Sequence, residues 1–363
     1  MRTFTPVLAG FGLVLAAGCS DNRLSGYQIT DSQLIIQQDN DFQACDLTGE
    51  APVCTADEAL KPFVAEYRFA DDVVAWVGFT SGAPEAPAVH GNQSYAWMTD
   101  RMSGERTMLS SMPAQGSLRV TPQWVFWQDM RNDSNGRCYS DDADSDCAVD
   151  IYGYHRGRKE ELRITPQSTV LGRTSTLGDV SYSATDLHLV FVDRRDLGRD
   201  CFEQGKLRAE QTECETNLYV IDLQTLEERA FETTFTHQNW PKIAGTRVVW
   251  LDTPEVVEGE QGTYLARDLS DTGPGVRVGP PVQLFRRYEH QGDWLITQVA
   301  DDQVGTTIRA THLVTGEEKT LTAPGEEGLL PNMAGSRVVW RDANAEKLTV
   351  YDLQTDRRFV AFE

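Results

Sequence analysis

The residues whose types and spacing come nearest to a chemical site lie in one stretch, RNDSNGRCYSDDADSDCAVD, residues 131–150. Asp142, Asp144, Asp146 and Asp150 stand there at relative positions 1, 3, 5 and 9. Carboxylates spaced this way on a tight loop can converge as hard oxygen ligands for calcium. The sixth position is Cys147 where an EF-hand needs glycine, and the twelfth is Gly153 where it needs glutamate, so an EF-hand is excluded. Two readings remain: a nonstandard calcium loop pinned by a disulfide, and an acidic loop in solvent. A structural calcium, ordering the insertion and not acting in catalysis, is the one cofactor the sequence raises; none is required.

Other chemistry is thinly represented. The chain has no G-x-S-x-G, H-E-x-x-H, phosphate-loop or dinucleotide-binding motif. Its six histidines, His90, His155, His188, His237, His290 and His312, are scattered, and no catalytic residue is nominated. Asp129, Asp193, Asp252 and Asp342 recur behind similar hydrophobic triplets. A residue that repeats in this way serves the repeated unit, so strand-end hydrogen bonding is expected of all four. With 55 Asp+Glu against 33 Lys+Arg the net charge is −22, which repels phosphate backbones and argues against nucleic acid as a partner.

The cysteines and the N-terminus speak for export. The chain opens MRTFTPVLAGFGLVLAAGCS, with Arg2, an apolar run from Val7 to Ala17 and the small-residue site Leu15-Ala16-Ala17-Gly18-Cys19. The run is short for a membrane span and suits a secretory signal. It resembles a bacterial lipoprotein signal, which implies cleavage before Cys19 and lipid on its thiol and amine. Ser20 after the cysteine implies the outer membrane, by analogy with enteric sorting. The other six cysteines fall into neighbouring couples, Cys45 with Cys54, Cys138 with Cys147 and Cys201 with Cys214. Six cysteines allow fifteen pairings. Local pairing is the economical one, and it fits an oxidising compartment.

The elements that must position these residues come from a repeat. AGTRVVWLD (244–252) and AGSRVVWRD (334–342) are near copies. Related hydrophobic triplets occur at 74–76, 125–127, 189–191 and 294–296. After each comes a loop, an alternating strand, a polar turn and a further strand, as in NLYVIDLQTLEERAFETT from Asn217. No amphipathic helical pattern interrupts the series. Six such units predict an all-β, six-bladed β-propeller of four-stranded blades, five or seven being the neighbouring counts. Val-Val-Trp-x-Asp followed by Tyr219-x-x-Asp222-Leu223-x-Thr225 resembles TolB-like propeller repeats. The roughly forty residues between Cys19 and the first unit are too few for the N-terminal α/β domain of that family's namesake, so its partners are not carried over. The expected layout is a signal at 1–18, a lipid-anchored tether with a small cystine clasp at 19–60, and the propeller at 61–363.

The function expected from this is binding or scaffolding at the cell envelope. The membrane would be reached through the lipid, and the partner would be an envelope protein or glycan held by long, disulfide-stapled loops. Two further readings stand beside it: a polysaccharide lyase or glycosidase with its site at the channel mouth, and a purely structural envelope protein.

Overall fold

The computed structural model describes residues 24–38, 41–49, 52–56, 64–70, 72–79, 94–112, 114–129, 131–132, 150–165, 182–193, 202–203, 206–207, 216–233, 237–253, 261–283, 288–301, 305–343 and 347–362. All the elements among them are strands. They form seven four-stranded antiparallel sheets, each a run of consecutive strands apart from a two-stranded hairpin inserted in the fourth. The first strands of successive sheets touch one another all the way round, including the first sheet against the last. The chain is a seven-bladed β-propeller with the first strand of each blade innermost.

The blade count corrects the six expected. The additional blade comprises Leu24–Ile29, Gln33–Gln38, Asp41–Asp46 and Val53–Ala56, within the segment read as tether and clasp. It escaped the repeat pattern for a physical reason. Its triplet, Leu34-Ile35-Ile36, is as buried as the others but ends in isoleucine where blades two, three, four, five and seven carry an aromatic, and Gln38 stands where blades three, four, five and seven carry aspartate. A second correction is a one-residue slip in blade six. Trp294 pairs with His312 as Trp124 pairs with His155, so the equivalent triplet is Leu295-Ile296-Thr297.

The triplets lie in second strands, and all but Thr297 of blade six are apolar because neighbouring blades cover both faces. Alternation sends successive residues to opposite neighbours. Val125 and Trp127 join the cluster shared with blade two, while Phe126 joins the one shared with blade four. The core is accordingly seven inter-blade layers.

Among the described residues no strand is exchanged between the first and last blades, and side chains close the ring. At the seam of blades seven and one, the Tyr27 hydroxyl donates to Leu329 O (3.1 Å) and Leu330 O. The Tyr182 hydroxyl reaches Ser117 O between blades three and four, and the Tyr288 hydroxyl reaches Trp240 O between five and six. All three acceptor segments are bulges of an inner strand, held at positive φ by Ser117, Trp240 and Leu330. A bulge turns its carbonyl out of the ladder, and the neighbour's tyrosine takes it up.

Candidate functional site

A four-stranded meander puts its first-to-second and third-to-fourth connections on one face of the ring. The second-to-third and blade-to-blade connections lie on the other. On the first face the turns are short and self-capped. Asp222 accepts the amides of Gln224 (2.8 Å) and Thr225 (3.1 Å), and Asp352 and Asp100 do the same in their blades. These hydrogen bonds, led by that from Thr225, lower the Asp222 pKa. His155 and His312 stand in the same position and use Nδ1 as the acceptor, as blade substitutes for aspartate should. The strand ends that open into the long insertions, 80–93, 133–149 and 194–215 between second and third strands and 166–181 between blades three and four, all lie on the opposite face.

The best-defined polar assembly on the insertion-bearing face sits at the base of the blade-three loop. Asp129 ends the second strand and Asp150 begins the third; they are register partners, and neither is exposed to solvent. Two buried carboxylates side by side demand cations and donors. Arg131 supplies its amide (2.8 Å) and its guanidinium (2.5 Å) to Asp129, and also reaches Glu161 (2.6 Å). Its guanidinium lies 3.9 Å from the centre of the Tyr152 ring. Asp150 accepts from Arg163 (2.9 Å), Thr165 Oγ1 (3.0 Å) and Asn132 Nδ2 (2.6 Å), and Asn132 also bonds the Tyr152 hydroxyl (2.9 Å). Burial alone would lower the Arg131 pKa; the hydrogen bond and charge of Asp129, then of Glu161, outweigh it and raise the value. Both ends of the insertion are thus tied to the blade by ion pairs.

This places the expected site residues as follows. Asp150 belongs to the strand end, with both carboxylate oxygens taken by protein donors. Asp142, Asp144 and Asp146 lie outside the described residues, as do Cys19, Cys138, Cys147, Cys201 and Cys214. Cys45 and Cys54 are bonded, joining directly opposed positions of the third and fourth strands of blade one. Of the recurring aspartates, Asp129, Asp193 and Asp342 are buried at strand ends, and Asp342 faces Lys347 at 3.5 Å. Among the described residues no three His, Cys, Asp or Glu side chains form a group that could hold a metal ion. The sequence reading missed Arg163, Glu161 and Asn132. Their signal was available: Arg131 and Asn132 lead into the loop that Asp150 closes. In the Asp129/Arg131 pair the carboxylate is fully out of solvent and the arginine side chain is 15% exposed.

A shallow cleft of about 230 Å³ opens at the other end of blade four, lined by His188, Asp222, Glu227 and Arg229 among others. Burial lowers the His188 pKa there, against the pull of Asp222.

No protein-family pattern matches the sequence, and no curated protein is detectably similar to it. Among solved structures, an uncharacterized protein of Listeria monocytogenes is similar with a TM-score of 0.57 and 9% identity, over 94% of each chain. A prolyl endopeptidase gives a TM-score of 0.59 and 10% identity over 93% of this chain and 49% of that one, so the chain spans about half that enzyme's length. TolB from Acinetobacter baumannii reaches a TM-score of 0.42 and 13% identity over 92% and 77%, too low a score to carry weight. Identities of this size speak for the fold alone.

Proposed function

We propose that this chain is an exported, lipid-anchored propeller of the cell envelope that binds a protein partner through its insertion-bearing face. One observation carries the reading. Every long insertion leaves the same face of a rigid ring, while the other face is closed by short capped turns. Loops on rigid scaffolds are where recognition concentrates. The blade-three base network supports it further, because buried ion pairs on both sides of a loop fix where that loop leaves the blade. With a net charge of −22, a basic partner surface is favoured. The Cys45–Cys54 disulfide supports an oxidising, extracytoplasmic address. Anchoring through Cys19 and stapling of the insertions by Cys138–Cys147 and Cys201–Cys214 are parts of the same proposal. A calcium ion at the blade-three loop would draw on Asp142, Asp144 and Asp146, with Asp150 kept in the blade.

The test is crosslinking of the full-length protein in native envelopes, with and without EDTA. Beside the parent run a variant with 133–149 replaced by a two-residue turn, a Cys19→Ala variant, and a control with Lys319→Glu on the opposite face. A partner lost with the insertion but kept by the control supports the reading. The same partner set in the parent and the loop variant sinks it.

A further inference from the structure

The inner strands carry a pattern that neither the insertions nor the base network uses. In each blade one residue of the inner strand lies opposite the middle residue of the buried triplet. These are Gln28, Arg68, Arg119, Ser183, Lys242, Glu289 and Asn332. All seven are polar and all are half-buried, between neighbours such as Tyr67, Leu118, Tyr182, Ile243 and Met333 that are buried between blades. Sharing one register on the innermost strand of every blade, they make a single polar layer at the waist of the central channel.

Part of this layer is accounted for by the backbone. An innermost strand has one edge with no partner strand, and its amides and carbonyls must be satisfied within the channel. Gln28 does this for blade two, bonding Tyr67 O (2.8 Å) and Phe69 N (3.0 Å). Ser183 accepts from Ile243 N of blade five (3.2 Å). A neutral side chain is enough for that task, so the charges need a separate reason. The layer holds three cations, Arg68, Arg119 and Lys242, and one carboxylate, Glu289: a net charge of 3 − 1 = +2 in a chain of net −22. Lys242 and Glu289 pair with each other at 3.1 Å. Arg68 meets Glu66 at 3.3 Å and donates to Tyr67 O (2.8 Å), and Glu66 also takes the amides of Ser117 (2.5 Å) and Leu118 (3.0 Å). Arg119 bonds two carbonyl oxygens, Leu118 O (2.8 Å) and Tyr182 O (3.3 Å), and no carboxylate among the described residues lies within ion-pair distance of it.

Arg119 and Arg68 stand in one register on adjacent blades, a positive field at the channel waist, with Gln28 and Ser183 at the same level on the blades to either side. Walls of low dielectric strengthen such a field, and the planar fork of arginine matches the oxygens of a carboxylate or phosphate. We propose that the channel waist is a binding site for an oxyanionic group, carboxylate or phosphate, on a slender ligand, with Arg119 as its counter-charge and Arg68, shared with Glu66, beside it. This site is separate from the insertion-bearing face and does not depend on what binds there.

Calorimetric titration of the full chain tests it, with inorganic phosphate in one arm and a trimer of galacturonate in the other. The expected result is saturable one-to-one binding of at least one probe, and the arm that binds identifies the source of the oxyanion. Arg119→Gln and Arg68→Gln should each weaken it by about tenfold or more. Arg119→Lys, which keeps the charge and loses the fork, should fall between, and Lys319→Gln on the capped face should match the parent. Thermal unfolding is followed for each variant, and Arg68→Gln decides the matter where Arg119→Gln does not fold. Absence of saturable binding in both arms overturns the proposal, as does binding undiminished by both glutamine variants. Replacement of 133–149 should leave the titration unchanged, which separates this outcome from that of the face.

Discussion

Tyr27 donates its hydroxyl to the carbonyl of Leu329, 302 residues further along the chain, and this contact between the first inner strand and the last joins the two ends of the ring. The same contact type recurs inside the ring at Tyr182 and Tyr288, so the closing seam is built like two of the internal ones. Tyr27→Phe keeps the ring packing and leaves the bulge carbonyls of Leu329 and Leu330 without their donor. The expected loss is about 1–2 kcal/mol of unfolding free energy. Tyr288→Phe should cost a similar amount. A Tyr27→Phe variant with an unchanged denaturant midpoint would show that the seam is held by its apolar layer alone.

How far the fold could be read from residues depended on which signals the repeat uses. The second strands were legible because a triplet buried on both faces has to be apolar, and Trp127, Trp250 and Trp340 make it conspicuous. Blade one lacks that aromatic, and its outermost strand, Val53–Ala56, is exposed at every residue, so it read as polar linker. The turn role of His155 and His312 was legible because position, more than residue type, sets it. The charge network at blade three was not, since Arg163 and Glu161 reach Asp150 and Arg131 across strands that a linear pattern does not register. The polar layer of the channel was written in the inner strands, but single residues spaced a blade apart give no local motif.

The buried tyrosines set an alkaline limit. Burial raises the Tyr182 and Tyr288 hydroxyls well above the ordinary value of 10.0. A raised folded pKa contributes stability that is fully present below the unfolded value and lost as pH rises through the folded one. Unfolding free energy should therefore fall from about pH 10 upward. The decline should be shallower in Tyr182→Phe and Tyr288→Phe, measured by denaturant titration at fixed pH between 8 and about 11. Equal slopes in parent and variants would mean that other groups set the limit.

His290 sets a limit on the acid side. It is buried beside the blade-six turn, its Nε2 is 3.0 Å from Gly292 O, and burial pushes its pKa down to about 4 from 6.5. Here the folded state keeps the ring neutral while the unfolded chain takes up a proton. The contribution is therefore complete above about pH 6.5 and is lost as pH falls toward 4, on the order of 3 kcal/mol in all. The turn aspartates, whose pKa values are lowered, act below that window. His290→Gln should flatten stability between pH 6.5 and about 4 and leave the lower limb intact. A parent profile already flat across that range would refute the assignment.

The Cys45–Cys54 bond holds the exposed outer strand of blade one to its neighbour across a separation of nine residues. Closing so short a loop in the unfolded chain accounts for about 2–3 kcal/mol. The double variant Cys45→Ala, Cys54→Ser should lose that amount. Hydrogen exchange should speed up first at Val53–Ala56, because an edge strand has ladder bonds on one side only. Uniform loss of protection across all seven blades would mean instead that blade one unfolds with the ring and not ahead of it.

The pair Asp150–Arg163 separates a structural role for the blade-three carboxylates from a ligand role. Asp150 is inaccessible to solvent and Arg163 is 35% exposed, so breaking the pair should cost about 2–4 kcal/mol, somewhat below the loss typical of a fully buried pair. Asp150→Ala removes the acceptor shared by Arg163, Thr165 and Asn132 and so releases one end of the insertion. Tryptic cleavage at Arg137 should then accelerate under conditions in which the ring stays folded. Substitution of Asp142, Asp144 and Asp146 together by Asn leaves this network untouched. It should leave stability unchanged in EDTA, and a calcium-dependent rise in melting temperature should vanish with it. If instead Asp150→Ala left both stability and cleavage at the parent level, the buried network would not be what fixes the insertion to the blade.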